Sequence, residues 1–525
     1  MSDRNDQLAG SVSSDERLAG RTLLPDRCGA AAALVGLAAG LLLAGLVGRL
    51  TALFEPGATP RVVIAGGLLC FALGPLLPDR LARFLARTRG GAAAERLTFR
   101  DDQALLWAVL ALVALLAGLA VAVLPLWTPL VEAGYRWMEA RFLWSDSSRA
   151  FVQLLAVVAI TLPGGALTGM ALGCAARLAG HGRIRCVSTL GWAVIGVGVA
   201  LVVVRLLGRV DVRADGLCLA AAVPLLLASV SSTQQLGRSP GPAAPRVGLQ
   251  PRSVPDLRDR YPALIRCTVV WLAASTAVVV VVWPHVASRW CGAVLPGGIT
   301  TPVLLQVVAL GLGMIVCERS GSSRSHSGGG LGVACVAGGM GMFVAAAAPL
   351  LWSGARADGL FPWIALMAAG LVCGFLMGFA VAYGHMSVLR RVGHRGAGSA
   401  WLFSVTLAAW AVAAFAFVRP ITVAERPFVF MAACAVSLVG LGGVTIIHEP
   451  GYSLRTRRRR LAAVFASIAL MIGVLPIAGR AWTARAANVR QTAHRPGDAA
   501  APREPTEARA LRAASVPQRT ASLDR

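Results

Sequence analysis

Apolar residues along this chain do not alternate with polar ones. They gather into long uninterrupted runs, separated by shorter polar breaks that carry arginine. A helix of about 20 apolar residues matches the ~30 Å hydrocarbon thickness of a bilayer. The pattern predicts twelve such runs and a thirteenth, at 28–50, 61–78, 103–127, 149–176, 186–208, 216–232, 264–284, 300–317, 329–352, 360–386, 399–419, 427–446 and 461–479. Inside hydrocarbon every backbone N–H and C=O must find its partner within the spanning element, which selects helices. The expected fold class is therefore all-α, a polytopic membrane protein. Residues 1–27 are polar and contain acids, so a cytoplasmic tail is expected there and not a cleavable signal.

Charge alters this picture less than its size suggests. All 50 basic residues are arginine, against 25 acids, for a net charge of +25. On a soluble chain such an excess points to nucleic acid. Here 56% of residues are hydrophobic, and no segment interleaves basic with aromatic side chains. The expected partner is the lipid bilayer, with no nucleic acid. Placing the N-terminus in the cytoplasm puts 29 arginines on inward segments and 12 on outward ones, with nine from Arg480 to Arg525. Arginine-rich short loops stay inside, so an inner-membrane protein with a cytoplasmic N-terminus is expected. The tail at 481–525 is rich in Ala, Pro and Arg and is expected to be disordered. Whether 461–479 crosses the membrane or lies along it stays open. The eleven cysteines have no paired spacing and are expected to act as small hydrophobes.

The chain also shows an internal echo. A shift of 209 superposes Gly165 on Gly374, Gly169 on Gly378 and Trp192 on Trp401. The glycines form G-x-x-x-G in the fourth and tenth runs, a smooth strip that lets another helix approach closely. The second run ends in Gly74-Pro-Leu-Leu-Pro-Asp79-Arg80, and the eighth in Gly313-Met-Ile-Val-Cys-Glu318-Arg319. These correspondences predict a 6+6 transmembrane helix pseudo-repeat plus an extra, thirteenth C-terminal helix. The expected organisation is a polar tail (1–27), an N-terminal six-helix bundle (28–232), a cytoplasmic linker (233–263) and a C-terminal six-helix bundle (264–446). A basic loop with the extra helix (447–480) and the tail (481–525) complete it.

On these residues the layout resembles the major facilitator superfamily. Asp79-Arg80-Leu-Ala-Arg83 is similar to its D-R-x-G-R loop signature, with Ala82 where Gly is usual, and Glu318-Arg319-Ser-Gly321 keeps the Gly but has Glu for Asp. In both loops the leading glycine stands one residue too far away. The resemblance implies a secondary transporter of alternating access whose loop Asp79, Arg80, Arg83, Glu318 and Arg319 form a cytoplasmic gate. A second stretch, "LPGGALTGMALGCAARL" with "STLGWAVIG", resembles the membrane portion of bacterial spermidine-synthase-like fusion proteins. About 45 residues follow the last run, too few for that family's catalytic domain. The alternatives are thus a membrane-only relative of those proteins, or a non-transporting scaffold.

Elementary electrostatics places the loop acids. A carboxylate is stabilised by the positive end of a helix dipole, and the symmetric arrangement offers Asp79 the start of the eleventh run (399–401) and Glu318 the start of the fifth (188–191). No Asp, Glu, His or Arg falls near the centre of any run; Arg205, Arg266 and His385 are expected at ends, within reach of the interface. Intramembrane charge marks ion and proton pathways, so a small neutral, amphipathic or anionic solute is expected over a cation. Candidate pathway residues are Gln153, Gln306, Thr168, Trp192 and Trp401, the two amides foremost because each needs donors and acceptors. No nucleophile, base and orienting acid can be assembled, and neither "HSGGGLGV" nor "HEP" completes a phosphate or zinc motif. No enzyme activity, catalytic residue, cofactor or metal is expected.

Overall fold

The computed structural model describes residues 26–54, 59–77, 103–142, 145–180, 186–207, 214–236, 262–291, 300–321, 330–347, 360–392, 396–423, 427–448 and 453–493. Every regular element among them is helical: α1 Arg27–Leu50, α2 Thr59–Leu73, α3 Gln103–Arg141, α4 Asp146–Gly180, α5 Cys186–Leu207, α6 Ala214–Leu236, α7 Pro262–Cys291, α8 Thr300–Gly321, α9 Leu331–Ala347, α10 Leu360–Val392, α11 Gly396–Val423, α12 Pro427–His448 and α13 Leu454–Ala493, with a 3-10 turn at Gly74–Leu76 closing α2. Nine of these are long and apolar enough to cross a bilayer among the described residues. The chain is a multi-pass membrane protein.

Helix starts follow ordinary capping chemistry. Asp26 accepts from the Gly29 N–H at 2.7 Å, and Ser145 and Ser453 accept from Ser148 and Thr456 at 3.3 and 3.2 Å. Each satisfies one of the N–H groups that a helix start leaves without an internal partner.

Two helices outrun the apolar runs that predict them. α3 continues to Arg141 and α4 starts at Asp146, so most of the expected outward loop at 128–148 is helical. Thr128, Val131, Tyr135 and Met138 repeat at helical spacing and turn inward, with Thr128 and Tyr135 buried. Glu132 and Arg136 stand at the i, i+4 spacing that favours a helix. α13 likewise passes position 480 and ends at Ala493, through the helix-forming stretch "AWTARAANVRQTA"; of the tail expected to be disordered, 494–525 lies outside the described residues. α13 packs lengthwise on α9 and α12, with Val464 and Met471 buried while Phe465, Ile472 and Ile477 face outward.

Neighbour relations organise the bundle. α1 packs on α2, α4, α5 and α6; α3 on α4 and α6; α2 on α4; and α4 on α5. Each of these pairings recurs six helices later: α7 on α8, α10, α11 and α12; α9 on α10 and α12; α8 on α10; and α10 on α11. Between the two sets, α5 meets α8 and α10, and α11 meets α2 and α4.

Candidate functional site

The closest helix crossings are built on glycine. A Cβ on Gly169 of α4 would lie 2.1 Å from the Phe71 carbonyl oxygen, and one on Gly74 would lie 2.3 Å from the Ala166 carbonyl oxygen. In the second set, a Cβ on Gly378 of α10 would lie 2.0 Å from the Leu310 carbonyl oxygen, and one on Gly313 2.2 Å from that of Phe375. Gly165 faces Cys70 and Gly374 faces Ala309 in the same register. Backbone rests on backbone at both crossings, where any side chain would force the helices apart.

The α5–α8 seam between the sets uses the same device. A Cβ on Gly191 would lie 2.9 Å from the Gly311 carbonyl oxygen, and one on Gly311 2.7 Å from that of Gly191. Two turns further along α8, Glu318 is buried, and its Oε2 accepts a hydrogen bond from the Ser188 backbone N–H at the start of α5. A carboxylate on a helix N-terminus receives both the N–H bond and the dipole's positive end. Arg319 sits half-buried beside it. Asp79, Arg80 and Arg83 lie outside the described residues.

Hydroxyls inside the first set bond to backbone carbonyls, within their own helix or across to a neighbour. Thr161 and Thr168 donate to the carbonyls of Val157 and Gly164, Ser229 to Ala111, and Ser232 to Ala228, at 2.7–2.8 Å. Gln153 donates to the Tyr135 hydroxyl at 3.3 Å. It stands only two turns into α4, against the extension of α3.

The second set differs. Ser275 Oγ and Trp283 Nε1 on α7, both amide atoms of Gln306 on α8, His385 Nδ1 on α10, and Ser404 Oγ and Trp410 Nε1 on α11 are buried without a hydrogen-bond partner among the described residues. Gln306 is 0% exposed. A Cβ on Gly370 of α10 would lie 2.7 Å from Trp283 Nε1, while Gly374, one turn on, faces the Gln306 backbone. Gln306 and Trp283 therefore flank one stretch of α10. An unbonded buried polar group costs about 1–3 kcal/mol, so each of these groups calls for a guest or water.

Of the two candidate tryptophans, Trp192 lies on Gly29 at the start of α1, whereas Trp401 is 38% exposed on α11. Two features escape the sequence reading. His385 does not reach an interface: it is 1% exposed, and its Nε2 lies 2.9 Å from Thr406 Oγ1. Arg49, at the end of α1, donates to Glu132 Oε1 of α3 at 2.9 Å and also to Asp215 of α6. This triad clamps three helices of the first set at the opposite end from Glu318. Its members lie 83 and 166 residues apart in sequence, and no local pattern announces them. Among the described residues no three His, Cys, Asp or Glu side chains are grouped to hold a metal ion.

Neither a protein-family profile nor a curated protein sequence matches the chain. Solved membrane transporters do resemble it in structure. A point mutant of the nucleoside transporter NupG is similar over 80% of this chain and 98% of its own, at 12% identity and a TM-score of 0.44. A bacterial homologue of the iron transporter ferroportin in its outward-facing state is similar over 80% and 98%, at 12% identity and a TM-score of 0.48. The same homologue soaked with iron gives 81% and 99%, at 13% identity and 0.48.

Proposed function

We propose that this chain is a secondary transporter whose two six-helix units, within 28–232 and 264–446, rock against each other to move a small neutral, amphipathic or anionic solute. One observation carries the reading. The crossing of α2 on α4 recurs in that of α8 on α10, atom for atom: Gly169 on the Phe71 carbonyl and Gly74 on that of Ala166 correspond to Gly378 on Leu310 and Gly313 on Phe375. Two units that share such a crossing, and meet through a few helix seams, are built to move as bodies.

On this reading the end where α1 begins is cytoplasmic. The Glu318–Ser188 contact is a clip that holds the cytoplasmic side shut and releases when that side opens. Asp79, with Arg80 and Arg83, plays the matching part at the start of α11. The solute meets the C-terminal unit at Gln306 and Trp283, whose amide and indole groups offer hydrogen bonds without charge.

A thermal-shift screen of uncharged and anionic solutes on the purified protein tests this, followed by uptake of any hit into proteoliposomes. Uptake lost in Gln306→Ala and kept in Ser467→Ala is the expected result; the Ser467 hydroxyl bonds along its own helix, α13, to the Ala463 carbonyl. Binding without uptake would leave a scaffold, and the transport reading would be wrong.

A further inference from the structure

The hydrogen bonds around His385 determine where its protons sit. Thr406 Oγ1 donates its single proton to the Leu402 carbonyl at 2.8 Å, so at its 2.9 Å contact with His385 it can only accept. With the hydroxyl proton directed to Leu402, Nε2 is the ring nitrogen that donates in this contact. Nδ1 is the one position where the proton count can change, and it is buried with no partner among the described residues. The ring lies seven residues from the end of α10, about 10 Å inside the bundle, with its face tilted towards Phe403 at 6.4 Å. It is thus an intramembrane base held in one orientation by α11, in a fold whose α10 and α11 both touch the N-terminal unit.

We propose that His385 Nδ1 is the binding position for a coupling proton, and that its occupancy biases the α5–α8 seam towards opening at the Glu318 end. This rests on the two-unit reading above. A proton delivered by hydronium adds to the Nδ1 lone pair; the N–H bond forms as one hydronium O–H bond breaks, water leaves, and the ring becomes an imidazolium. An unpaired cation sealed among apolar side chains is costly, and water entering from the near end relieves that cost. Protonation thus favours the arrangement that hydrates the ring, and loss of the proton favours the closed seam. Ligand-driven population shifts need only this difference in affinity.

The described ionisable groups on α10 and on the helices packed against it are few. They are Arg205 on α5, Arg266 and Cys267 on α7, Cys317, Glu318 and Arg319 on α8, Cys335 on α9, and Cys373 and Tyr383 on α10 itself; the described side chains of α11 hold none. Glu318 is the anion among them, and it is also the clip.

Hydrogen–deuterium exchange of the full chain in nanodiscs, corrected for intrinsic rates, reads the seam through segments 186–195 and 311–321. Between about pH 8 and about pH 5.5, across the range where imidazole titrates, exchange there is expected to rise. The rise is about fivefold, and at most about tenfold, if the open and closed states differ by one unit in proton affinity. His385→Gln places an amide N–H where Nε2 donates to Thr406 but has no titrating nitrogen, so exchange is expected to stay at the high-pH level. His385→Asn removes the base with different geometry and is expected to act alike. If one variant fails to fold, the other decides. In the unaltered protein, ¹⁵N-histidine spectra are expected to show one buried ring protonated at Nε2. Seam opening that ignores pH, or that keeps its pH dependence in both variants, overturns the proton site and leaves the two-unit reading standing. A seam that stays closed under every condition overturns both.

Discussion

The two six-helix sets share their helix neighbours but not their interior chemistry. In the first, the buried hydroxyls named above and the Gln153 amide are bonded to carbonyls or to Tyr135, and the Arg49–Glu132–Asp215 clamp ties three helices at one end. In the second, six side chains from α7, α8, α10 and α11 end in buried polar atoms without partners among the described residues. Three of those four helices, α8, α10 and α11, also meet the first set. The difference teaches a division of labour. The hydroxyls and the amide of the first set are bonded, while the second set keeps open hydrogen-bonding capacity on helices that reach the seam.

The shared part of the comparison is broken most forcefully at the matched glycines. Gly169→Ala and Gly378→Ala each push a methyl into a backbone carbonyl that cannot rotate away. Overpacking of this kind costs about 1–3 kcal/mol, so both variants are expected to melt lower by similar amounts. Gly134→Ala, which meets nothing within 4 Å, is expected to leave melting unchanged or raise it. Unequal losses at 169 and 378 would show that the two crossings are not equivalent.

The unshared part is sharpened by the two glutamines. Gln306→Leu removes unpaired polar atoms and is expected to stabilise the solute-free protein by about 1–2 kcal/mol while abolishing solute-induced shifts. Gln153→Leu breaks a bond to Tyr135 and is expected to destabilise by about 1 kcal/mol and to leave solute shifts intact. Parallel changes in the two variants would erase the contrast between the units. The smallest effect belongs to the clip. Glu318→Gln keeps an acceptor for the Ser188 N–H but loses the charge on the helix end, a change of about 0.3–1 kcal/mol. It is expected to appear as faster exchange at 186–190, with overall melting nearly unaltered.

Much of this was legible in the residues. Long apolar runs have one solution in hydrocarbon, so the helices could be placed before any coordinates. The four glycines of the α4 and α10 strips stood out because small residues at four-residue spacing have a mechanical meaning. The extension of α3 did not stand out, because 128–141 is amphipathic and not uniformly apolar; its Thr128, Val131, Tyr135 and Met138 spacing carried the signal. His385 was placed at an interface by counting from the helix end, yet burial depends on neighbours, and α11 covers it. The orphaned groups of the second set were beyond reach for the same reason. A serine or tryptophan in an apolar run looks alike whether or not a carbonyl waits across the helix. The Arg49 clamp joins three distant stretches and becomes visible only in three dimensions.

The most direct test is a pair of spin-label distances across the units in lipid, with Cys28 and Cys267 replaced by serine. One pair joins Leu236 to Ile447 at the Glu318 end, and the other joins Phe142 to Ile364 at the opposite end; all four positions are exposed or end a helix at the surface. Two rocking bodies predict that, as conditions change, one distance lengthens while the other shortens. Two distances that hold single fixed values, or that lengthen together, would contradict it.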